Sequence, residues 1–146
     1  MRINKTIGNV DIKLDTKRLD RNMMNAQKLL NLAVRTDCEP LVPVLSGDLR
    51  RKAWFPDGVY GGVLEYNSMY AHYQYVGEVY GPNIPIRDSE GNITRWFSPK
   101  GKAKNPTGRK MAKYSQSGTG PEWFEKAKER HGDKWLRLVR EEAGKG

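Results

Sequence analysis

The sequence has few of the residues that build disulfides, metal sites or activated nucleophiles. Its 146 residues include one cysteine, Cys38, and two histidines, His72 and His131. A single cysteine excludes an internal disulfide and a four-cysteine zinc site. Cys38 has no recognisable catalytic setting, and a reactive thiol needs a lowered pKa. We therefore predict an inert thiol, and neither a metal ion nor a cofactor.

Long apolar runs are also missing. Hydrophobic residues make up 37% of the chain, and its longest apolar runs fall far short of the ~20 residues that a membrane span needs. The first fifteen residues have no apolar segment typical of a signal peptide. We expect a protein made in a reducing cytoplasm, with no membrane partner. Four tryptophans and seven tyrosines argue against disorder, and the length suits a single domain over residues 1–146.

Positive charge is present in excess, and the excess is local. The net charge is +9, yet the segment Arg95–Lys113 holds seven basic residues and no acidic one, which leaves 19 basic against 17 acidic residues elsewhere. The seven residues of this basic segment are Arg95, Lys100, Lys102, Lys104, Arg109, Lys110 and Lys113. Such a patch attracts phosphate backbones or acidic protein surfaces. We predict that the basic segment faces DNA or a protein partner.

The first forty residues predict a strand followed by a helix. Apolar and charged residues alternate before the helix, which indicates a strand or an extended arm over residues 1–14. Apolar residues then recur at helical spacing up to about Thr36, after a possible cap at Asp15 or Thr16. Pro40 prevents the helix from continuing.

The middle of the chain predicts a hairpin and a second, short helix. "SGDLRRKA" should form a tight turn and one helical turn, with Ser46 as a possible cap. "KAWF" and "VYGGVLEYN" flank the turn signal "PDG", which indicates the two strands of a hairpin. A short helix or turn should follow over Ser68–Tyr75 and break at Gly77.

Residues 81–120 are rich in glycine, proline and lysine, and we expect an extended basic hairpin and loop there within the single domain. "IPIRDSEGNITRWF" predicts the hairpin, with "SEGN" as its turn. "SPKGKAKNPTGRKMAKYSQSGTG" is too polar to pack alone, which predicts a mobile loop. A helix should then begin at Pro121 and end at Gly132, and Asp133 should cap a further set of turns.

The chain offers little for catalysis. His72 and Glu78 are six residues apart, and the carboxylates nearby match no metal motif. A hydrolase that uses this pair is the weakest hypothesis. A nucleic-acid-binding protein has more support, because Trp96 and Phe97 border the basic segment and aromatic residues beside cations can hold single strands. However, no helix-turn-helix, zinc-finger or RNA-binding signature accompanies them.

Aromatic residues concentrate in "YNSMYAHYQYVGEVYG" and near the end of the chain. Tryptophan and tyrosine dominate the binding energy of protein interfaces, but they also build cores. We interpret seven of the aromatic residues as either core or subunit-interface residues. They are Tyr70, Tyr73, Tyr75, Trp96, Trp123, Phe124 and Trp135.

Four features occur in a recognisable order: a helix, then "VPVLSGDLRRKAWF", then "YNSMYAHYQYVG", then "GPEWFEKAKERHGDKW". In this order they resemble the phage minor capsid and tail-completion proteins of the head–tail neck in long-tailed bacteriophages. The pattern is carried by Pro43, Ser46, Gly47, Leu49, Tyr70, Ala71, Tyr75, Gly77, Pro121, Trp123, Phe124, Ala127, His131 and Trp135. The chain departs from the family in having Ser46 in place of the usual threonine and a longer insertion over residues 84–113.

The resemblance implies an α+β fold, in which a small antiparallel β-sheet is packed by an N-terminal and a C-terminal helix, with a long basic insertion. It implies a structural virion protein rather than an enzyme. Such proteins form homo-oligomeric rings, often hexamers, between neighbouring head–tail connector and tail-tube proteins, and genomic DNA passes non-specifically through the lumen. The implied location is the neck of a virion assembled in the host bacterial cytoplasm. The alternative is a small basic nucleic-acid-binding protein.

Overall fold

The computed structural model describes residues 2–44, 47–114 and 116–145, so the possible cap at Ser46 lies outside the described residues. The chain combines helices and strands, which confirms the predicted α+β class. The helices are α1 Lys17–Cys38, α2 Asp48–Arg51, α3 Ala71–Val76 and α4 Trp123–Ala143, with a 3-10 turn at Glu39–Leu41. The strands are β1 Arg2–Ile7, β2 Val10–Asp15, β3 Ala53–Trp54, β4 Glu65–Tyr66, β5 Glu78–Gly81, β6 Ile84–Arg87, β7 Ile93–Phe97 and β8 Asn105–Lys110.

The strands are distributed among small sheets instead of one. β1 pairs with β2, β3 with β4, β5 with β8 and β6 with β7, each pair antiparallel. The two long helices pack against each other, and their contact is the most extensive between any two described elements. The centre of the fold is therefore the α1–α4 helix pair, and the small sheets lie around it.

The core lies where the end of α1 meets α4 and the segment between α1 and α2. As predicted, α1 ends just before Pro40, whose ring and missing N–H turn the chain into the 3-10 turn. The buried cluster at this junction consists of Cys38, Leu41, Val42, Leu49, Trp123, Ala127 and Trp135. These residues come from both ends of the sequence, so the core closes only when α4 docks.

The prediction that Gly132 ends the last helix is wrong, because α4 continues through this residue to Ala143. A glycine in a helix interior costs about 1 kcal/mol relative to alanine. Trp123 and Trp135 lie on either side of it, and both are buried. A buried aromatic side chain covers at least about 150 Å², which is worth roughly 4 kcal/mol at about 25 cal/mol per Å². Docking of the continuous helix therefore outweighs the cost of the glycine.

The hairpin after α2 is confirmed, but its strands are shorter than predicted. Only Ala53–Trp54 and Glu65–Tyr66 pair. The turn residues between them are held by Asn31 of α1, whose side-chain amide donates to the carbonyl oxygens of Val59 and Gly61 at 2.7 and 2.6 Å. Asn31 is 8% exposed. This segment therefore bonds to α1 instead of extending the strand.

The prediction of a mobile loop is wrong for Asn105–Lys110, which forms β8. All six of its residues are exposed, so apolar burial does not hold it in place. The backbone N–H of Gly108 donates to Glu78 Oε1 at 2.7 Å, and the Thr107 hydroxyl donates to the carbonyl of Val79 at 2.6 Å. Hydrogen bonds to β5 thus order a segment whose composition predicts disorder.

The predicted helix break at Gly77 is confirmed, and the backbone geometry there predicts how a substitution of Gly77 changes stability. Gly77 follows α3 with a φ of +71°, and a Cβ there would lie 2.9 Å from Pro121 Cβ. Gly77→Ala should lower the free energy of unfolding by about 2 kcal/mol, with about half from the left-handed backbone and half from the clash. Gly91→Ala is the matched control in urea denaturation, because Gly91 has a φ of +86° and nothing within 4 Å of its added Cβ. Equal losses for the two variants would contradict a steric role for Pro121.

Candidate functional site

The tyrosine-rich segment forms α3 and β5, and one of its tyrosines joins the core. The Tyr75 ring lies edge-on to Trp123, with centroids 4.7 Å apart, and Tyr66 approaches the same indole at 5.4 Å. Burial raises the pKa of Tyr75, with Glu125 adding to the effect. The backbone N–H of Glu122 also donates to the carbonyl of Tyr75. Tyr75 therefore fixes the start of α4 against α3.

A second aromatic group lies outside the core. Tyr73 and Tyr80 have ring centroids 4.6 Å apart, and His72 Nε2 is 3.3 Å from the Tyr80 hydroxyl. Glu78, the proposed partner of His72 in a hydrolase, accepts instead from the backbone of Gly108. Over residues 2–44, 47–114 and 116–145 no hydrogen bond joins His72 to Glu78, and no three potential ligands cluster around a metal position.

The remaining predicted aromatic residues divide between the surface and the core. Trp123 and Trp135 are buried. Phe124 is partly exposed and stacks on Trp135 with centroids 6.2 Å apart. Trp96 on β7 and Tyr70, the residue before α3, are 54% and 62% exposed. Tyr70 and Trp96 are therefore the members of the predicted set most available to a partner.

Tyr70 borders a groove of about 1050 Å³. The groove lies between the segment that follows α1, the start of α3 and the chain after β8. Its lining is Pro43, Val44, Asp48, Leu49, Arg51, Ser68, Tyr70, Gln74, Val79, Met111, Ala112, Lys113 and Tyr114. Most of these side chains are apolar or aromatic, and among the described lining residues Asp48 is the single acid.

The basic segment lies at the surface over β7, the following connection and β8. Six of its seven predicted cations are exposed, and Lys104 is half-buried. The Lys104 ammonium donates to the Pro82 carbonyl and to Asn83 Oδ1, so it holds the turn between β5 and β6. In the described part of the chain no salt bridge includes any of the seven. The other six are exposed and can meet an external anion, although Lys110 lies opposite Glu78 in the β5–β8 ladder without forming a salt bridge to it.

Three residues that the sequence did not single out organise the structure around these surfaces. The Arg50 guanidinium donates to the carbonyl oxygens of Val42 and Pro40 and so anchors the chain that lines the groove. Asn31 holds the turn after β3. Asp37 accepts from the Trp135 indole at 2.7 Å and from Lys134 at 3.0 Å. Arg50 and Asp37 read in the sequence as ordinary surface charges, so no local pattern marks them.

Cys38, adjacent to Asp37, has the environment of an inert thiol. It is buried at the end of α1 and unpaired. Burial, together with the neighbouring negative charge of Asp37, raises its pKa to about 11. A thiol with such a pKa stays protonated near neutral pH and is a poor nucleophile.

Comparison with known proteins identifies the family. Among the helices that the structure describes, none combines the length and apolar character needed to cross a membrane. No curated protein and no solved structure matches the chain. A family model described as minor capsid protein matches residues 6–142, which extend from β1 to the last turn of α4. This match confirms the family expected from the four ordered motifs and indicates a structural role. The chain therefore belongs to the minor capsid protein family of bacteriophages and is a structural component of the virion.

Proposed function

We propose that the protein is a ring-forming subunit of the head–tail connector, in the neck that joins the capsid to the tail. In this proposal the subunits form a homo-oligomeric ring between neighbouring connector and tail-tube proteins. The basic segments of all subunits line the passage through which genomic DNA moves. Family membership supports a virion protein, and the surface charge of the chain supports contact with DNA.

The observation that carries the proposal is the unpaired basic surface. Arg95 on β7 and Arg109 and Lys110 on β8 belong to strands whose residues are all exposed, and Lys100 and Lys102 are exposed between those strands. Their charges are not compensated by acidic residues within Arg95–Lys113. A ring repeats this surface once in every subunit. It would therefore present a continuous positive belt to a polyanion.

The basic surface suits the non-specific passage of DNA better than the recognition of a particular DNA sequence. Base readout needs an element that enters a groove of the duplex and side chains that reach base edges. Lysine-rich surfaces attract phosphates regardless of sequence, and proteins bound in this way slide along DNA. A DNA passage requires such binding, because the whole genome must move past the same residues.

The proposal predicts a reduced salt dependence of DNA binding after neutralisation of three lysines. The test variant combines Lys100→Gln, Lys102→Gln and Lys110→Gln, and it leaves Lys104 intact because Lys104 holds a turn. Its stability should match that of the wild type, because exposed charges contribute about 0–1 kcal/mol. The slope of log affinity against log salt for duplex DNA should fall in magnitude by up to about 2.7, at about 0.9 for each phosphate that the protein no longer neutralises. Particles carrying the variant should retain less DNA.

A second triple variant provides the matched control. Lys17→Gln, Lys128→Gln and Arg130→Gln remove the same number of exposed charges from α1 and α4, and they should leave the salt slope unchanged. An unchanged slope in the first variant, with normal particles, would contradict the DNA-lining role. Tight DNA binding by a monomer that forms no ring would instead favour the small nucleic-acid-binding protein.

A further inference from the structure

The hairpin formed by β1 and β2 has one polar and one apolar face. In its register Lys5 lies opposite Ile12 and Ile7 opposite Val10, and paired residues of an antiparallel ladder share a face. Together with Ile3, these four residues form a face that is aliphatic except for Lys5. The other face satisfies its own polar groups through an Arg2–Asp15 salt bridge at 3.0 Å and a hydrogen bond of 2.7 Å from Thr6 to Asp11.

The apolar face of this hairpin has no cover within the described chain. Ile7 and Val10 are 56% and 61% exposed, and Ile3 and Ile12 are exposed as well. A two-stranded hairpin is marginally stable alone in water and needs a third strand or a packed face. Exposed contiguous apolar surface of this kind marks interaction sites. The alternation of apolar and polar residues therefore gives the hairpin an apolar face that the described monomer does not bury.

An apolar groove lies at the opposite end of α1 from the hairpin. The hairpin leads into the start of α1 at Lys17, whereas Pro43 and Leu49 of the groove follow its end at Cys38. The helix has 22 residues, and at about 1.5 Å per residue it is about 33 Å long. Strands of six residues extend only about 20 Å. The hairpin therefore cannot reach the groove of its own chain, even if it folded back along α1.

The apolar face of the hairpin and the groove each carry one charge that can pair with the other. Lys5 is the one charged residue of the apolar face, and Asp48 is the one acid among the described residues of the groove. The polar face carries Arg2 and Lys13 as well as Asp11 and Asp15, so its charges balance, and it points away from the groove when the apolar face docks. A second copy of the chain therefore brings one charge, that of Lys5, to Asp48, a half-exposed carboxylate whose partner within its own chain is Lys52 at 3.3 Å.

We propose that the amphipathic hairpin of one subunit binds in the groove of the next subunit, with its apolar face on the groove and Lys5 near Asp48. This inference rests on the ring-forming function proposed above and names the contact that builds the ring. The donor and acceptor surfaces are different patches at opposite ends of α1, so the contact is head-to-tail. Head-to-tail contacts generate rings when the rotation between subunits closes. The hairpin should become ordered against its neighbour on assembly.

Photo-crosslinking tests the contact in the full-length protein. One variant carries the benzophenone amino acid p-benzoylphenylalanine in place of Ile7, on the apolar face, and the matched control carries it in place of Thr6, on the polar face of the same strand. Equal amounts of ¹⁵N-labelled and unlabelled protein are mixed, assembled at high concentration and irradiated. Mass spectrometry then identifies peptides that join two copies. We expect the Ile7 probe to attach to residues 43–51, 68–79 or 111–114 of another copy, and the Thr6 probe to do so about tenfold less, because alternate residues point to opposite faces.

The outcomes distinguish a failure of the proposed hairpin–groove contact from a failure of the proposed ring-forming function. Crosslinks from Ile7 to another hairpin, to other parts of the chain, or at the same yield as from Thr6 would overturn the proposed contact. If rings are visible by electron microscopy and the Ile7 probe does not reach the groove, the contact is wrong and the ring proposal stands. If the Ile7 probe maps to the groove but the assemblies are open chains, the contact stands and the ring proposal fails. The absence of both rings and crosslinks between copies would refute both.

Discussion

Replacing Trp123 by alanine should lower the free energy of unfolding by about 4 kcal/mol, the usual cost of deleting a large buried aromatic side chain. Trp123 is 2% exposed and packs edge-on against Tyr66 and Tyr75. It is also the first residue of α4, so its loss removes the anchor that docks this helix on the rest of the chain. Urea denaturation followed by far-UV circular dichroism would measure the change, which exceeds those expected for the other variants.

Trp96→Ala is the matched control, because it deletes the same side chain from a position that is 54% exposed. It should change the free energy of unfolding by less than about 1 kcal/mol, as most surface substitutions do. The pair also separates the two roles predicted for the aromatic residues. A Trp123→Ala variant that kept its stability as a monomer and lost only its oligomers would show that Trp123 serves an interface instead of the core.

The sequence predicts those elements of the fold that depend on local patterns. α1 has apolar residues at helical spacing and a proline just beyond its end, and both signals act within a few residues. The hairpin of β6 and β7 has alternating strands around a polar turn with Gly91. Gly77 ends α3 because a left-handed residue is needed there. In each case the determining interaction lies close in sequence, so the pattern suffices.

Local sequence patterns do not predict elements that depend on contacts with residues distant in the sequence. Gly132 remains helical because Trp123 and Trp135 bury against α1, a contact that joins the two ends of the chain. β8 is ordered by hydrogen bonds to β5, whose residues precede it by almost thirty positions. The hydrogen bonds that join the exposed β8 to the half-buried β5 leave no hydrophobic signature in the sequence of β8. Polar composition therefore predicts a mobile loop where the chain forms a strand.

The candidate functional surfaces also include features that the sequence predicts and features that depend on tertiary contacts. The basic segment is visible in the sequence because a run of like charge is itself a surface property. Which aromatic residues face inwards is not visible, because Tyr70 and Tyr75 occupy the same short segment yet only Tyr75 reaches Trp123. Their difference follows from the direction in which α3 meets α4. This direction is fixed by tertiary contacts such as the hydrogen bond between Glu122 and Tyr75.

Asp37 is the least expected of the stabilising residues. An acidic residue in the last turn of a helix opposes the negative end of the helix dipole, so its position in α1 is unfavourable in isolation. The structure places Trp135 and Lys134 of α4 against its carboxylate. Burial alone would raise the pKa of Asp37, but hydrogen bonds from Trp135 and Lys134 and the charge of Lys134 lower it below its ordinary value. Asp37 thus joins the two long helices by a charged hydrogen bond.

Asp37→Ala should therefore lower the free energy of unfolding by about 3 kcal/mol at pH 7, because a charged hydrogen bond is lost and the indole N–H of the buried Trp135 is left without this acceptor. The loss should depend on pH. The pKa of Asp37 is lower in the folded state than the ~3.9 expected for the unfolded chain. Its contribution is thus complete above about pH 4 and disappears as the pH falls through the folded value. Urea titrations of the wild type and the variant between pH 7 and pH 2 would measure the difference.

Lys134→Ala separates the ion pair from the indole hydrogen bond. The Lys134 side chain is more than half exposed, so its removal should cost less than about 1 kcal/mol, and the bond from Trp135 to Asp37 should persist. If the two variants are equally destabilised, the ion pair, and not the indole bond, carries the effect. If the loss in Asp37→Ala stays constant as the pH falls well below 4, the ionised carboxylate is not what joins α1 to α4, and the interaction is one of packing alone.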